Sequence, residues 1–416
     1  MSKIRFPEQA EQGRMNIELA ERSMGALMKV RARFTQERPF TGLTIGMALH
    51  VTKETAVLVK TLRDGGAKVI ITGCNPLSTQ DDVAAALVGE KNVEVFAHKG
   101  ESNEEYYAFL REVLNFKPQI TIDDGCDLVT LLHQEFPDLL KDMIGGCEET
   151  TTGVGRLQAM MKDGALKVPM IAVNDNKTKH LMDNYYGTGQ STIDGLLRAT
   201  NVLLSGKNFV VAGYGSCGKG LALRASGLGA QVIVTEVDAF CALQATMDGY
   251  RVMTMNEAAR VGDIFVTVTG NINVIDAQHF DSMKDGAVLA NSGHFNSEIN
   301  LPVLEKKASG KRRVRPYLDE YTLGTKKIFV AGEGRLVNLV AAEGHPSEVM
   351  SLSFCGQALA CEYLVKNKGK LKADVITLPV EIDQEISHMQ LEVMGLHIDQ
   401  LSDEQRKYLS SWQEGT

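Results

Sequence analysis

From about residue 43, short apolar runs alternate with stretches in which apolar residues recur at helical spacing. The runs at 43–49, 68–72, 93–97, 119–122 and 169–173 predict strands. Between them, 52–62 (closed by Gly65-Gly66), 80–87, 103–114 and 127–136 predict helices. Strict alternation of this kind predicts a doubly wound parallel sheet. Ahead of it, Met15, Ile17, Leu19, Ala20, Met24, Leu27 and Met28 stand among charges, which predicts one amphipathic helix over 12–33. A second set of runs follows at 209–212, 231–235, 264–268, 287–290 and 328–331. Residues 349–364 are apolar at helical spacing and predict a helix that returns to the first domain. The composition then turns polar, with a helix over 381–394 and a capping-box spacing at Ser402 and Gln405 that starts a last helix.

The run Phe209, Val210, Val211, Ala212 leads into Gly213, Gly215, Gly218 and Gly220, then into Leu221, Leu223 and Leu228. Strand, glycine turn and helix in that order form a phosphate-binding corner of Rossmann type, in which backbone N–H groups and the helix N-terminus meet a pyrophosphate. The next strand ends in Glu236, roughly 20 residues on, where a carboxylate binds both ribose hydroxyls and repels a 2′-phosphate. NAD is therefore expected over NADP. Gly213 to Lys219 also fits a P-loop, but Gly220 stands where magnesium binding needs Ser or Thr.

A net charge of −8 argues against a nucleic-acid or anionic-membrane partner, and the one basic run, Gly310 to Arg315, reads as a solvated loop. Seven cysteines without a CxxC predict neither a disulfide framework nor a metal centre and fit a reducing cytoplasm. No stretch has the length of a membrane span, and the N-terminus has no apolar leader.

In sheets of this class, ligands sit beyond the carboxyl ends of the strands. The first strand delivers His50, Thr52 and Glu54, the second Cys74 and Asn75, the fourth Asp123 and Asp124. Glu148, Glu149, Thr150, Thr151 and Thr152 come after a turn, and Asn174 and Asp175 follow a further strand. Lys179 and Asp183, four apart, share one helix face, with Asn184 beside them. Singly, such residues serve as caps or surface ion pairs; gathered at one sheet edge, they supply what proton transfer needs.

The strings LHVTKETAVL, CNPLSTQDD, IDDGCDL, EETTTGV, VNDNKTKHLMDNYYG, VVAGYGSCGKG, NSGHFNSEI, EGRLVNL and GHPSEVMSLSF together closely resemble the S-adenosyl-L-homocysteine hydrolase family from about Arg14 to about Leu364. The resemblance implies reversible cleavage of S-adenosylhomocysteine to adenosine and homocysteine. Tightly held NAD oxidises the ribose 3′-hydroxyl, which makes the C4′ proton acidic; homocysteine is then eliminated, water adds, and the ketone is reduced. It implies a discontinuous substrate domain (1–182 and 346–377), an NAD domain (183–345) and a helical tail (378–416) at a subunit contact. By the same match Lys179 is the base at the 3′-position, with its pKa lowered by burial and by the nicotinamide charge. Glu149 and Asp183 bind ribose hydroxyls, Asp124 handles the C4′ proton, and His50 and His294 serve the thiolate and the water. Thr52, Glu54, His345 and Met350 fall to the base. The cofactor falls to Thr150, Thr151, Thr152, Asn184, Gly213, Gly215, Gly218, Glu236, Thr269, Asn291, His294 and Asn338. A carboxylate at Glu54 accepts from the adenine amine and repels hypoxanthine O6, so the adenosyl substrate is expected over the inosyl one.

Several positions depart from the family pattern. The chain stops at Thr416 without a Lys- and Tyr-bearing tail, Thr188 and Cys241 replace a cysteine and an asparagine, and Glu343 puts a charge near the entrance. A homo-oligomer, tetramer or dimer, is expected. The region of Gln80 and His345 resembles a monovalent-cation site of some members, without assigning an ion. The alternatives are an S-inosylhomocysteine hydrolase, an NAD dehydrogenase of hydroxy acids, and a catalytically silent NAD-binding homologue.

Overall fold

The computed structural model describes residues 2–413. Two sheets organise the chain. The strands β1 (Thr44–Ala48), β2 (Lys68–Thr72), β3 (Val93–Phe96), β4 (Ile120–Asp123), β5 (Gly145–Glu148) and β6 (Met170–Ala172) come first. The second group is β7 (Asn208–Ala212), β8 (Gln231–Thr235), β9 (Arg251–Val252), β10 (Ile264–Thr267), β11 (Ala287–Asn291), β12 (Gly310–Arg315), β13 (Leu318–Leu323) and β14 (Lys326–Ala331). The last strand, β15 (Val375–Ile376), returns to the first sheet, whose order is β15-β6-β5-β4-β1-β2-β3. That sheet is parallel throughout. The second runs β12-β13-β14-β11-β10-β7-β8-β9, parallel except for β12, β13 and β14, which pair antiparallel at one edge. The two-sheet α/β architecture and the polar helical tail agree with expectation.

Four local expectations need correction. The predicted helix over 12–33 is two helices, Ala10–Ser23 and Gly25–Glu37, parted at Met24, whose φ of −103° and ψ of 46° are not helical. The break turns Ile17 and Ala20 toward the helix Asp81–Val88, and Leu27, Val30 and Phe34 toward the helices Lys53–Asp64 and Ser347–Lys366. The basic run is an edge strand, β12, pinned to β13 by Arg312–Glu320 and Arg313–Asp319 ion pairs, and its charges discourage further edge pairing. The turn before Glu149 is a central strand, β5, whose two glycines weaken its signal. Lys179 and Asp183 lie on a π-helix, Thr178–Gly187.

The helix Ser347–Lys366 packs on β5 and on the π-helix, so the chain crosses back to the first sheet as anticipated. No helix among the described residues is long and apolar enough to cross a membrane.

Candidate active site

One cavity of about 1150 Å³ lies between the carboxyl ends of the two sheets. From the first sheet and its return helix it is lined by His50, Thr52, Glu54, Asp124, Glu149, Thr150, Thr151, Thr152, His345 and Met350. The π-helix adds Lys179, Asp183 and Asn184. The second sheet adds Gly213, Gly215, Glu236, Thr269, His294 and Asn338. Residues picked from widely separated strings thus share one space.

Lys179 is at its centre, 6% exposed. Its Nζ lies 2.7 Å from Asp183 Oδ2, 2.7 Å from Asn184 Oδ1 and 3.6 Å from Glu149 Oε1. The wider turn of a π-helix, bonded i to i+5, brings residues four and five ahead within reach together. Asn184, expected to serve the cofactor, therefore also orients Lys179. The expected lowering of the Lys179 pKa is not found. Burial lowers it, but the carboxylates of Asp183 and Glu149 outweigh burial and hold the ammonium above its usual range. Burial would raise Asp183, yet Lys179 and His345 hold it well below the usual carboxylate range. Burial, opposed by Lys179, pushes Glu149 up to about 7.

A second cluster surrounds Asp124. His50 Nε2 is 3.4 Å from Asp124 Oδ2 and His294 Nδ1 is 3.5 Å from Asp124 Oδ1. Burial holds His50 down at about 4, so its imidazole is neutral near pH 7, and Ser78 Oγ lies 2.7 Å from its Nδ1. Burial and the neighbouring Asp124 raise the Cys74 thiol well above its ordinary value, which keeps it protonated and removes it as a nucleophile.

The glycine turn fits a dinucleotide. An added Cβ at Gly218 would stand 2.0 Å from the Gly213 carbonyl oxygen, so only glycine lets this helix start so close to its strand. One at Gly215 would meet nothing within 4 Å, which leaves the turn open to a ligand. Glu236 accepts from the N–H groups of Tyr214, Val237 and Asp238, which fixes its carboxylate at the end of β8. These features, an open turn, a helix N-terminus and a fixed acid, suit NAD.

Two expected cofactor residues do not line the cavity. Gly218 lies beneath the turn, and the side chain of Asn291 is consumed by its own loop. Its Nδ2 donates to the carbonyls of Gly293, Phe295 and Gly334, and its Oδ1 accepts from Gly293 N and Thr267 Oγ1. Cys241 also stands outside the lining, its N–H donating to Asp238.

Supporting residues went unnoticed in the sequence. Ser353 Oγ and Gln357 Nε2 both donate to Glu149, and Ser347 Oγ donates to Glu54. Asp383 accepts from the N–H groups of Lys177 and Thr178 and from the Thr178 hydroxyl, fastening the start of the π-helix. Ser353 and Gln357, polar residues four apart in an apolar helix, were a legible signal; Asp383, some 200 residues from its partners, gave none.

Fold and site together define an α/β enzyme of the NAD-binding class whose clustered titratable side chains share a cavity with the glycine turn. Comparison with known proteins makes this specific. Residues 2–137 match the family described as S-adenosyl-L-homocysteine hydrolase, and residues 184–344 match its NAD binding domain. Adenosylhomocysteinase of Aquifex aeolicus is 57% identical, over 98% of this chain and 98% of that one. Adenosylhomocysteinase of Archaeoglobus fulgidus is 57% identical, over 97% and 100%. S-inosyl-L-homocysteine hydrolase of Methanocaldococcus jannaschii is 56% identical, over 98% and 98%. The chain belongs to the S-adenosyl-L-homocysteine hydrolase family, and NAD is its cofactor.

Proposed function

We propose that this enzyme hydrolyses S-adenosyl-L-homocysteine to adenosine and homocysteine, with the ribose lying between the Lys179 and Asp124 clusters. Bound NAD would supply reversible removal of hydride from the ribose 3′-carbon, held by the turn Gly213–Gly218, Glu236, Thr150 to Thr152, Thr269 and Asn338. The chain's own side chains do the rest. Lys179 accepts the 3′-hydroxyl proton. Glu149, poised at about 7 and 3.6 Å away, is the neighbour best matched to relieve Lys179 of its own proton first. Asp183 and Glu149 hold the ribose hydroxyls. Asp124 takes the C4′ proton, and His50 with His294, beside it, relays that proton to the departing thiolate; the neutral imidazole of His50 is then free to accept a proton from the incoming water.

The observation that carries this reading is the meeting of Lys179, Glu149 and Asp183 with Asp124, His50 and His294 in one cavity that continues to the glycine turn. Glu54 and Thr52 at the head of the helix Lys53–Asp64 would meet the base edge. A second reading, cleavage of S-inosylhomocysteine, is supported by the methanogen relatives that carry that name. Release of free thiol from S-adenosylhomocysteine tests the assignment: rapid release supports it, and none from NAD-loaded enzyme sinks it.

We assign residues 1–182 and 346–377 to the substrate domain and 183–345 to the NAD domain, in keeping with the two sheets. Residues 378–416 would serve a subunit contact in a cytoplasmic homo-oligomer. Exposed Leu181, Met182 and Tyr186 on the π-helix, and Leu409 and Trp412 in the tail, are the apolar surface such contacts would cover.

A further inference from the structure

A row of charges lies behind Glu54. Lys53 heads the helix Lys53–Asp64, and its Nζ is 2.9 Å from Glu343 Oε2 and 3.4 Å from Glu54 Oε1. Glu343 sits on the segment returning from the second sheet, and its other oxygen is 3.5 Å from Arg198 Nη2 on the helix Thr188–Thr200. Ser347 Oγ donates to Glu54 Oε1 at 2.6 Å. Lys53, Arg198, Glu343 and Ser347 line a separate cavity of about 220 Å³ that shares Glu54 and His345 with the main one.

Glu54 is 2% exposed. Both donors that reach it fall on Oε1, and among the described residues Oε2 has no protein partner. A carboxylate oxygen accepts from a 6-amino group and repels a 6-oxo group. The choice between two purines therefore depends on what holds the Glu54 carboxylate with Oε2 free. The groups facing Glu54 are Lys53 on its own helix, Glu343 and His345 on the return segment, and Asp194 and Arg198 on the helix Thr188–Thr200. Across the main cavity stand His50 and Asp183. Of the cations, Lys53 alone is within 4 Å of the Glu54 carboxylate.

We propose that Lys53, held by Glu343, is a specificity-determining positioning residue: with Ser347 it occupies Oε1 of Glu54 and fixes the carboxylate, so that Oε2 accepts from a 6-aminopurine and rejects a 6-oxopurine. This rests on the reading in which Glu54 meets the base edge. Glu343 and Arg198 come from beyond the first sheet, so the countercharge is complete only when the two halves of the molecule are together.

The test is kcat/KM of the holoenzyme for S-adenosylhomocysteine and S-inosylhomocysteine. Lys53→Met, which frees the Glu54 carboxylate to turn, should move the ratio toward the inosyl substrate by about tenfold, mainly through KM with kcat little changed. Lys53→Arg should restore the parent ratio, and Glu343→Gln should fall between. A ratio unmoved in both Lys53→Met and Glu343→Gln overturns the proposal. Glu54→Gln separates the two ideas. If it leaves the ratio unchanged, the placement of the base at Glu54 fails; if it alters the ratio while Lys53→Met does not, only the role of Lys53 fails.

Discussion

Lys179 holds three partners with one ammonium group, and the role we propose for it depends on giving up a proton that two carboxylates retain. Lys179→Met keeps the length and bulk of the side chain and removes the base. We expect thiol release to fall by about 10²–10⁴-fold with NAD still bound; turnover within a few-fold of the parent would exclude Lys179 as the base. Glu149 gives a pH signature. Its carboxyl rises from an ordinary 4.5 to about 7 on folding, so between those values the native state keeps a proton that the unfolded chain has released. Its contribution to stability is complete below 4.5 and is lost as pH rises through 7. Glu149→Gln, neutral throughout, should reduce the fall in urea midpoint over that window, leaving the slope from Asp123, Glu101 and Glu148, whose carboxyls burial also raises. An unchanged slope would contradict the shift. At this scale the sequence revealed which residues meet but not how they titrate. That Lys179 lies in the cavity was legible, whereas the sign of its shift depends on distances to Glu149 and Asp183 that no spacing encodes. That the Asn291 side chain closes its own loop was hidden for a similar reason.

The π-helix Thr178–Gly187 puts Lys179, Asp183 and Asn184 on one wall, and Asp383 secures its first turn from the tail helix Val380–Val393. Asp383→Ala would leave two N–H groups and a hydroxyl without their acceptor. We expect a loss of about 1–3 kcal/mol in urea unfolding, with reduced turnover; a change below about 0.5 kcal/mol would show that the cap is idle. Periodicity located nearly every strand and helix around the site, because buried parallel strands and amphipathic helices leave opposite patterns. It failed where side chains do not report burial: β5 is glycine-rich, β12 is an exposed basic edge, and the break at Met24 preserves an apolar spacing across two helices. A π-helix has no period that distinguishes it from an α-helix over ten residues.

Across the whole molecule, the site exists because two sheets turn their carboxyl ends toward one cavity and the chain returns through Ser347–Lys366 to complete the first. The glycine turn, the acid of β8 and the clustered polar residues at the strand ends made that arrangement readable in advance. The ion chain Glu54–Lys53–Glu343–Arg198 was not readable, since it joins residues nearly 300 positions apart. The central claim is that the cofactor is reduced and reoxidised within each turnover. Its most direct measurement follows the absorbance of reduced nicotinamide in the holoenzyme while thiol is released from S-adenosylhomocysteine. The account predicts that thiol accumulates over many turnovers while reduced cofactor never exceeds one equivalent per subunit and shows no net gain. Reduced cofactor accumulating in step with product, or thiol released without any reduced cofactor forming, would contradict it.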